Sequence, residues 1–217
     1  MTLTVLCVWV QGHVPFSVDY VTRLRSMARR ALPQHRFVCL TDRPSALPGD
    51  MDAIILPTPP VHLKGWWSKV RLFDPGLPLS GRLLYLDLDV LLVGDLSPVI
   101  NFPGRLALAP DGAPAFRPHN GTVCVKRYNS SVMAWNYGAH PELFKEWNQH
   151  VAQRLWGDQD WIGERVPGAS VMPAEWFPRL SAAVSPPWPM EAKVILCKKP
   201  KNAEAAAKWP WFDKEWR

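Results

Sequence analysis

The sequence feature that most constrains the fold is RLLYLDLDVLLV at 82–93, a long apolar run interrupted by two carboxylates. If this run is one buried strand, Asp87 and Asp89 lie two residues apart and project to the same side of it. Burying two like charges close together is costly unless one is protonated or both bind a cation. Hard oxygen ligands suit Mg²⁺ or Mn²⁺. The pattern therefore predicts a metal site at the strand's carboxyl end, and the alternative, a solvent-facing strand end, is disfavoured because the apolar run continues through Val93.

The rest of the chain alternates short apolar runs with amphipathic segments, which is typical of an α/β domain. A length of 217 residues and 47% hydrophobic content predict a single domain over 1–217. Helices are expected at 17–31 and 141–156, with one or two helical turns at 66–74. Strands are expected at 3–10, 36–42, 53–57, 82–93, 106–110 and 121–127, and 132–136 is expected either to continue the sheet or to open a helix.

Charge and composition narrow the class of protein. The net charge of +6 suits an anionic ligand, but the basic residues are scattered until the C-terminal third, so nucleic-acid binding is disfavoured. Neither a signal-peptide pattern nor an apolar run of membrane-spanning length is visible, and the four cysteines are widely spaced. We therefore expect a cytoplasmic protein with reduced thiols.

The C-terminal residues 203–217 form a possible tail rich in aromatic and basic side chains. In KWPWFDKEWR at 208–217, tryptophan and phenylalanine alternate with cations, a composition found at membrane interfaces. One hypothesis is peripheral attachment to the inner face of a membrane that carries a lipid-linked acceptor. The alternative is that these aromatic side chains pack on the main body.

Five motifs, taken together, resemble those of the retaining glycosyltransferases of family 8. The segment from Trp66 to Val99 resembles the family's central motif, in which a basic residue and a short helix precede Y-L-D-x-D-V. The other four follow in the family's order: LALAPDG at 106–112, YNSSVMAWN at 128–136, GDQDWI at 157–162 and VILCKKPKN at 194–202. The resemblance implies a GT-A fold, with a Rossmann-like, mostly parallel mixed sheet. It also implies metal-dependent transfer of a hexose from a nucleotide-diphospho-sugar, with UDP-sugars favoured and with retention, to a glycan, lipid-linked or other hydroxyl acceptor.

The resemblance assigns a role to each motif position. Asp87 and Asp89 would hold Mn²⁺ or Mg²⁺. Cys197 is the candidate third metal ligand, at the position where the family has a histidine. Because a thiolate suits these hard ions poorly, the metal would either rest on the two aspartates and the diphosphate alone or be bound more weakly than in the family. Gln159 would stabilise an oxocarbenium-like centre, since an amide oxygen is a poor nucleophile, and Asp158 and Asp160 would bind sugar hydroxyls. The resemblance further implies that Lys69 pairs with phosphate or the donor sugar and that Lys199 and Lys201 lie near the diphosphate. Asp111 and Asn129 would contact the donor sugar, and Thr41 and Asp42 would contact the nucleotide base and ribose. Trp9 is a further substrate-binding position.

Two other functions fit parts of the sequence. YLDLDV also matches the signature of haloacid-dehalogenase-like phosphatases, in which Asp87 would be the nucleophile, although that signature normally follows the first strand of its fold. A noncatalytic carbohydrate-binding protein of transferase-like fold is suggested by the 12 tryptophans and by Cys197 at a ligand position.

Overall fold

A seven-stranded mixed sheet organises the protein in the computed structural model. The structure describes residues 2–10, 16–32, 34–56, 65–120, 122–180, 186–197 and 211–216. The strands of this sheet follow the order β3-β2-β1-β4-β7-β6-β8. They are β1 (Leu3–Trp9), β2 (Arg36–Thr41), β3 (Asp52–Ile55), β4 (Arg82–Leu86), β6 (Leu106–His119), β7 (Thr122–Asn136) and β8 (Ser170–Val171).

The order of the strands fixes where a ligand can bind. Strands β1, β2, β3 and β4 are parallel, and β7 runs antiparallel between β4 and β6. The chain leaves β1 toward β2 and β3, and then returns to place β4 on the other side of β1. In open α/β sheets, ligands bind at the carboxyl ends of the strands where the order reverses in this way. Here that point lies between β1 and β4.

The run at 82–93 is not one strand, and the prediction was wrong in this respect. β4 ends at Leu86, and β5 (Val90–Leu92) pairs instead with β9 (Val194–Leu196) in a separate two-stranded sheet. Residues 87–89 form the connection between the two sheets. The two aspartates therefore occupy a break at the carboxyl end of β4, and they do not alternate along a continuous strand.

Strands β6 and β7 form a hairpin much longer than the short strands expected at 106–110 and 121–127. The segment 132–136 continues β7 and does not open a helix. The pairing shifts register between Leu108 and Ala109 and between Pro110 and Ala115. Because β6 runs parallel to β4, the hairpin extends past the sheet edge where Asp87 lies.

The helices follow the sequence pattern in part. Helix α1 (Val18–Ala31) matches the prediction, but the helix expected at 141–156 is divided into α3 (Glu142–Lys145) and α4 (Gln149–Arg154). The side-chain oxygen of Asn148 accepts a hydrogen bond from the backbone N–H of Val151 at 3.2 Å, so this residue caps a new helix. The others are α2 (Ser97–Ile100), α5 (Asp158–Arg165), α6 (Phe212–Glu215) and 3-10 helices at Pro44–Ala46, Gly65–Phe73 and Ala174–Trp176.

Two apolar layers cover the faces of the sheet. Along β1, Val5 and Cys7 point into the layer formed with α1, β5 and β9, whereas Leu6 points into the layer formed with the 3-10 helix 65–73 and helices α3 to α5. Such alternation with both faces buried explains why the parallel strands are almost wholly apolar. Within the described ranges no helix is long and apolar enough to cross a membrane.

The described part of the C-terminal tail packs on the main body. Phe212 and Trp216 are buried in the α1 layer, the Trp216 ring lies 4.9 Å from that of Tyr20, and Arg23 donates a hydrogen bond to the Trp216 carbonyl. These two aromatic side chains are therefore part of the core, as the second hypothesis for the tail predicted.

Candidate active site

The candidate site lies at the carboxyl end of β4, where the strand order reverses. Asp87 is the first residue after the strand, and its backbone N–H donates to the Ser131 carbonyl of β7 at 2.8 Å. This bond extends the β4–β7 pairing by one residue. Asp87 is thereby fixed at the sheet edge, with its carboxylate 20% exposed.

A buried ammonium group joins the predicted motifs. Lys69, on the 3-10 helix 65–73, has its Nζ 2.8 Å from Asp87 Oδ1 and 3.7 Å from Asp158 Oδ2, and its side chain is 12% exposed. It also donates to the Ser130 hydroxyl at 3.2 Å. Burial by itself would lower the pKa of Lys69, but the charges of Asp158 and Asp87 outweigh it and raise that pKa well above its ordinary value. Lys69 is thus a permanent cation between two carboxylates.

Asp87 is held as a carboxylate by its neighbours. The Tyr85 hydroxyl donates to Asp87 Oδ1 at 2.6 Å. Burial opposes the charged form, but the cation of Lys69 and the hydrogen bonds that Asp87 accepts from Lys69 and Tyr85 prevail and lower the pKa of Asp87. Burial and the neighbouring carboxylate raise the pKa of Tyr85, so its phenol stays protonated and continues to donate.

Helix α5 brings the predicted catalytic motif to the same cluster. Asp158 and Asp160 are buried in its first turn, and Gln159 is half-buried between them. Burial raises the pKa of Asp158, and the charge of Lys69 and a hydrogen bond from Ser130 offset this only in part. Gly157 precedes the helix in extended backbone, where a Cβ would lie 3.0 Å from the Trp66 ring. The close packing of Trp66 on Gly157 positions the start of α5 against the 3-10 helix.

Asp89 and Cys197 lie opposite each other at the ends of the small sheet. Val90 pairs with Leu196 in antiparallel register, so the next positions outward are Asp89 and Cys197. Burial first, and then the charge of Asp89, raise the pKa of Cys197 to about 12, and the thiol is protonated at neutral pH. Among the residues that the structure describes, no three histidine, cysteine or acidic side chains form a group able to hold a metal ion.

Of the two predicted donor-sugar positions, Asn129 on β7 directly precedes Ser130 of the cluster, and Asp111 lies on β6. Asn129 accepts a hydrogen bond from the backbone N–H of Ser131 at 2.8 Å, which fixes the turn of chain that carries Ser130. Asp111 is 2% exposed, and its Oδ1 lies 2.5 Å from Nη2 of Arg179, whose side chain is 47% exposed. Asp111 is therefore paired with a cation from the segment that follows the 3-10 helix 174–176.

The residues at the predicted nucleotide-binding end of the site lie at the carboxyl ends of β1 and β2. Thr41 is fully buried, and its hydroxyl oxygen accepts a hydrogen bond from the Arg43 N–H at 3.0 Å. The Arg43 guanidinium lies 4.1 Å above the Trp9 ring and 3.7 Å from Asp42. Trp9 is buried and donates its indole N–H to the Phe16 carbonyl at 2.9 Å. Lys199 and Lys201 lie outside the described residues.

Sequence reasoning missed three members of this site. Tyr85 and Ser130 could have been found, because Tyr85 is two residues before Asp87 on an alternating strand and Ser130 is inside the predicted donor motif. Arg179 carried no local signal. It reaches Asp111 because residues 178–180 pair alongside β9, a contact 68 residues apart in sequence.

Comparison with known proteins identifies the architecture. By sequence, the chain matches no protein-family model and no curated protein. By structure, it is similar to the galactosyltransferase LgtC in complex with donor and acceptor sugar analogues, with a TM-score of 0.68, 14% identity and coverage of 98% of this chain and 95% of that one. It is also similar to an active-site mutant of LgtC, with a TM-score of 0.61, 12% identity and coverage of 97% and 95%.

A third similar structure is the apo-form glycosyltransferase GlyE of Streptococcus pneumoniae TIGR4. Its TM-score is 0.56 at 16% identity, with coverage of 82% of this chain and 46% of that one. At such low identity these likenesses establish the fold. They confirm the architecture that the five motifs predicted: the chain has the GT-A fold seen in family 8 glycosyltransferases.

Proposed function

We propose that this protein transfers a hexose from a nucleotide-diphospho-sugar, preferably a UDP-sugar, to a hydroxyl group of a glycan or lipid-linked acceptor, with retention at the anomeric carbon. The observation that carries the proposal is the buried Lys69 cation between Asp87 and Asp158, at the point of a GT-A sheet where ligands bind. Lys69 also donates to the Ser130 hydroxyl, so the central motif and the motifs at 128–136 and 157–162 meet there. A purely structural salt bridge between Lys69 and Asp87 would require neither the second carboxylate of Asp158 nor the Gln159 amide beside it on α5.

The residues present fit a divalent cation held by two protein ligands. Asp87 and Asp89 supply hard oxygens at the break after β4, and Mg²⁺ commonly takes one or two carboxylates and completes its shell with substrate phosphates and water. We assign the ion to these two aspartates. Cys197 lies opposite Asp89, but its sulfur is a soft donor and therefore a poor ligand for Mn²⁺ or Mg²⁺. When bound, the ion would neutralise the donor diphosphate and favour its departure.

The chain's own residues then have distinct tasks. Lys69 holds the Asp87 carboxylate through a 2.8 Å contact and keeps it ionised. Asp158 and Asp160 present carboxylates to the hydroxyls of the donor sugar, and the Gln159 carboxamide stabilises positive charge at the anomeric carbon. The carbon–oxygen bond to the diphosphate breaks with its electron pair on the phosphate oxygen. The acceptor oxygen bonds to the same face of that carbon, and its proton passes to the departing phosphate.

Ligand-dependent stability tests the donor site directly. Thermal unfolding is measured with UDP, GDP and CMP, and with their sugars, each with and without Mn²⁺, for the wild type, Asp87→Asn and Asp89→Asn. One nucleotide is expected to raise the melting temperature only with Mn²⁺, and both variants are expected to lose the effect, since bound ligand stabilises by mass action. No shift with any nucleotide in the wild type would contradict the proposal.

The other two functions predict different outcomes. A phosphatase that uses Asp87 as nucleophile would hydrolyse phosphate monoesters with Mg²⁺ and lose this activity in Asp87→Asn. The GT-A fold and the D-x-D after the fourth strand favour the transferase instead. A noncatalytic carbohydrate-binding protein would bind sugars without hydrolysing or transferring a nucleotide sugar.

A further inference from the structure

An aromatic pair, the exposed Trp156 and the half-buried His119, lies beside the predicted catalytic motif. Trp156 is 45% exposed, and its ring lies 4.4 Å from that of His119 at an interplanar angle of 36°. His119 is the last residue of β6, at the tip of the long hairpin, and Trp156 directly precedes the Gly157–Asp158–Gln159 turn. We name Trp156 and His119 the aromatic platform.

The platform is held in place by a second contact. Asn120, at the hairpin tip, has a φ of 44° and donates its side-chain amide to the Gln153 carbonyl of α4 at 2.7 Å. A single exposed tryptophan needs no functional explanation. Trp156, however, packs against the His119 ring, and the hairpin that carries His119 is hydrogen-bonded to α4 through Asn120. The exposed face is therefore preorganised, which lowers the entropy cost of binding.

Its position along the sheet suggests what binds there. Trp9 and Thr41 are the last residues of β1 and β2, and Asp87 directly follows β4. Asn129 lies on β7 and Asp111 on β6. From β2 to β6 there are four interstrand steps, about 19 Å at roughly 4.8 Å each. An extended donor with its base at β2 and its diphosphate at Asp87 would place its sugar at β7 and α5. The platform lies beside the start of α5, where Trp156 precedes the helix and His119 ends β6.

The platform is also close enough to the predicted reaction centre. Gln159 is the third residue after Trp156, so their Cα atoms lie no more than about 11 Å apart even in a fully extended chain. A saccharide whose hydroxyl reaches an anomeric carbon beside Gln159 is therefore within contact distance of the platform. The face of a pyranose ring that carries C–H groups is apolar, and it packs against a flat aromatic ring through dispersion contacts.

We infer that Trp156, backed by His119, forms the acceptor subsite of this protein and binds a hexose ring of a saccharide acceptor. This inference rests on the proposed transferase function and adds to it the class of acceptor: a sugar ring, and not a protein side chain or a bare lipid alcohol. Trp156 is then a specificity residue. It contacts the acceptor and does not touch the donor.

The test uses saturation-transfer NMR on the protein loaded with UDP and Mg²⁺, because paramagnetic Mn²⁺ would quench the signals of a saccharide bound near it. The probes are the methyl glycosides of glucose and galactose and the disaccharides lactose, maltose and cellobiose. The wild type is expected to transfer magnetisation to one face of at least one probe. Trp156→Ala should weaken that binding by about 10-fold, the upper range for one aromatic contact, whereas Trp156→Phe should retain most of it and His119→Ala should lose less.

A matched control is Trp188→Ala. Trp188 also pairs with a second aromatic, Trp211 at 5.1 Å, but it packs against the α1 layer on the opposite face of the sheet. The Trp188→Ala substitution should leave both saccharide binding and nucleotide binding unchanged. If no probe binds the loaded wild type, or if Trp156→Ala binds as tightly as the wild type, the acceptor subsite is refuted.

The melting shift with UDP and Mn²⁺ separates the two proposals. A shift that is retained in Trp156→Ala while saccharide binding is lost supports both. A nucleotide shift with saccharide binding that does not depend on Trp156 refutes the platform alone. Trp156-dependent saccharide binding with no nucleotide shift in the wild type refutes the transferase, and the acceptor assignment fails with it, leaving a carbohydrate-binding surface.

Discussion

Replacing Lys69 by methionine removes the buried cation and leaves two acidic side chains facing each other. Methionine nearly preserves the length and volume of the side chain, so the change is chiefly electrostatic. Removing one partner from a buried ion pair costs about 3–5 kcal/mol. Asp87 retains 20% exposure, which allows solvent to screen part of the charge. We therefore expect a loss of about 3 kcal/mol in unfolding free energy, at the lower end of that range. For a chain of this size, this corresponds to a melting temperature lower by roughly 6–12 °C.

The loss should depend on pH in a defined direction. In the wild type the pKa of Asp87 is lowered, so its contribution to stability is present above the unfolded value of about 3.9 and is lost as pH falls through the folded pKa. In Lys69→Met both carboxylates lose their cation, and their folded pKa values rise above the unfolded value. The loss of unfolding free energy in Lys69→Met is then largest at neutral pH and becomes smaller as Asp87 and Asp158 protonate. The difference between wild type and variant should narrow from pH 7 toward pH 5.

The assay is urea unfolding followed by tryptophan fluorescence, in buffer with chelator so that no metal can replace the ammonium. Lys145→Met is the matched control, because Lys145 is exposed at the end of α3 and its replacement should change stability by less than about 0.5 kcal/mol. A Lys69→Met variant as stable as this control at pH 7, or a difference that widens on acidification, would refute the electrostatic reasoning.

Three further predictions concern other parts of the structure. Phe212→Ala should lose about 3–5 kcal/mol in urea unfolding, because this tail residue is fully buried and leaves a cavity; Met190→Ala, at 89% exposure, is the control, and equal stability of the two would show that the tail does not belong to the core. Gly81→Ala should lose more than about 1–2 kcal/mol, because φ is +72° and a Cβ would lie 2.3 Å from the Thr2 carbonyl oxygen, whereas Gly168→Ala, with open space around it, should be nearly neutral; similar unfolding midpoints would contradict this account. Tyr85→Phe should raise the pKa of Asp87 by removal of the 2.6 Å hydrogen bond, which carboxyl-directed NMR titration would detect as a midpoint displaced upward, and an unchanged or lower midpoint would count against the bond.

The fold class was predictable because burial leaves a direct mark on sequence. Strands covered on both faces, such as Leu3–Trp9, read as continuous apolar runs, and the apolar positions of α1 recur at helical spacing. Helix 141–156 was predicted too long, because its apolar face continues while Asn148 starts a new helix. Similarly, the apolar run at 82–93 could not show that β4 and β5 join different sheets, since both halves are buried.

The apolar runs by themselves predicted the α/β architecture and marked Asp87 and Asp89 as candidate functional residues, whereas the GT-A class and the role of Asp158 were predicted from the resemblance of the five motifs to family 8. An acidic residue inside an apolar run is costly to bury unless a cation or a hydrogen-bond donor meets it, so such residues stand out. Which side chains meet was settled by the folded chain. Lys69 lies between Asp87 and Asp158, Arg179 lies against Asp111, and Trp156 pairs with a hairpin tip 37 positions away in the sequence. The physical reason is that local patterns record burial and periodicity, whereas contacts between distant segments depend on strand order and register, which no short stretch of sequence encodes.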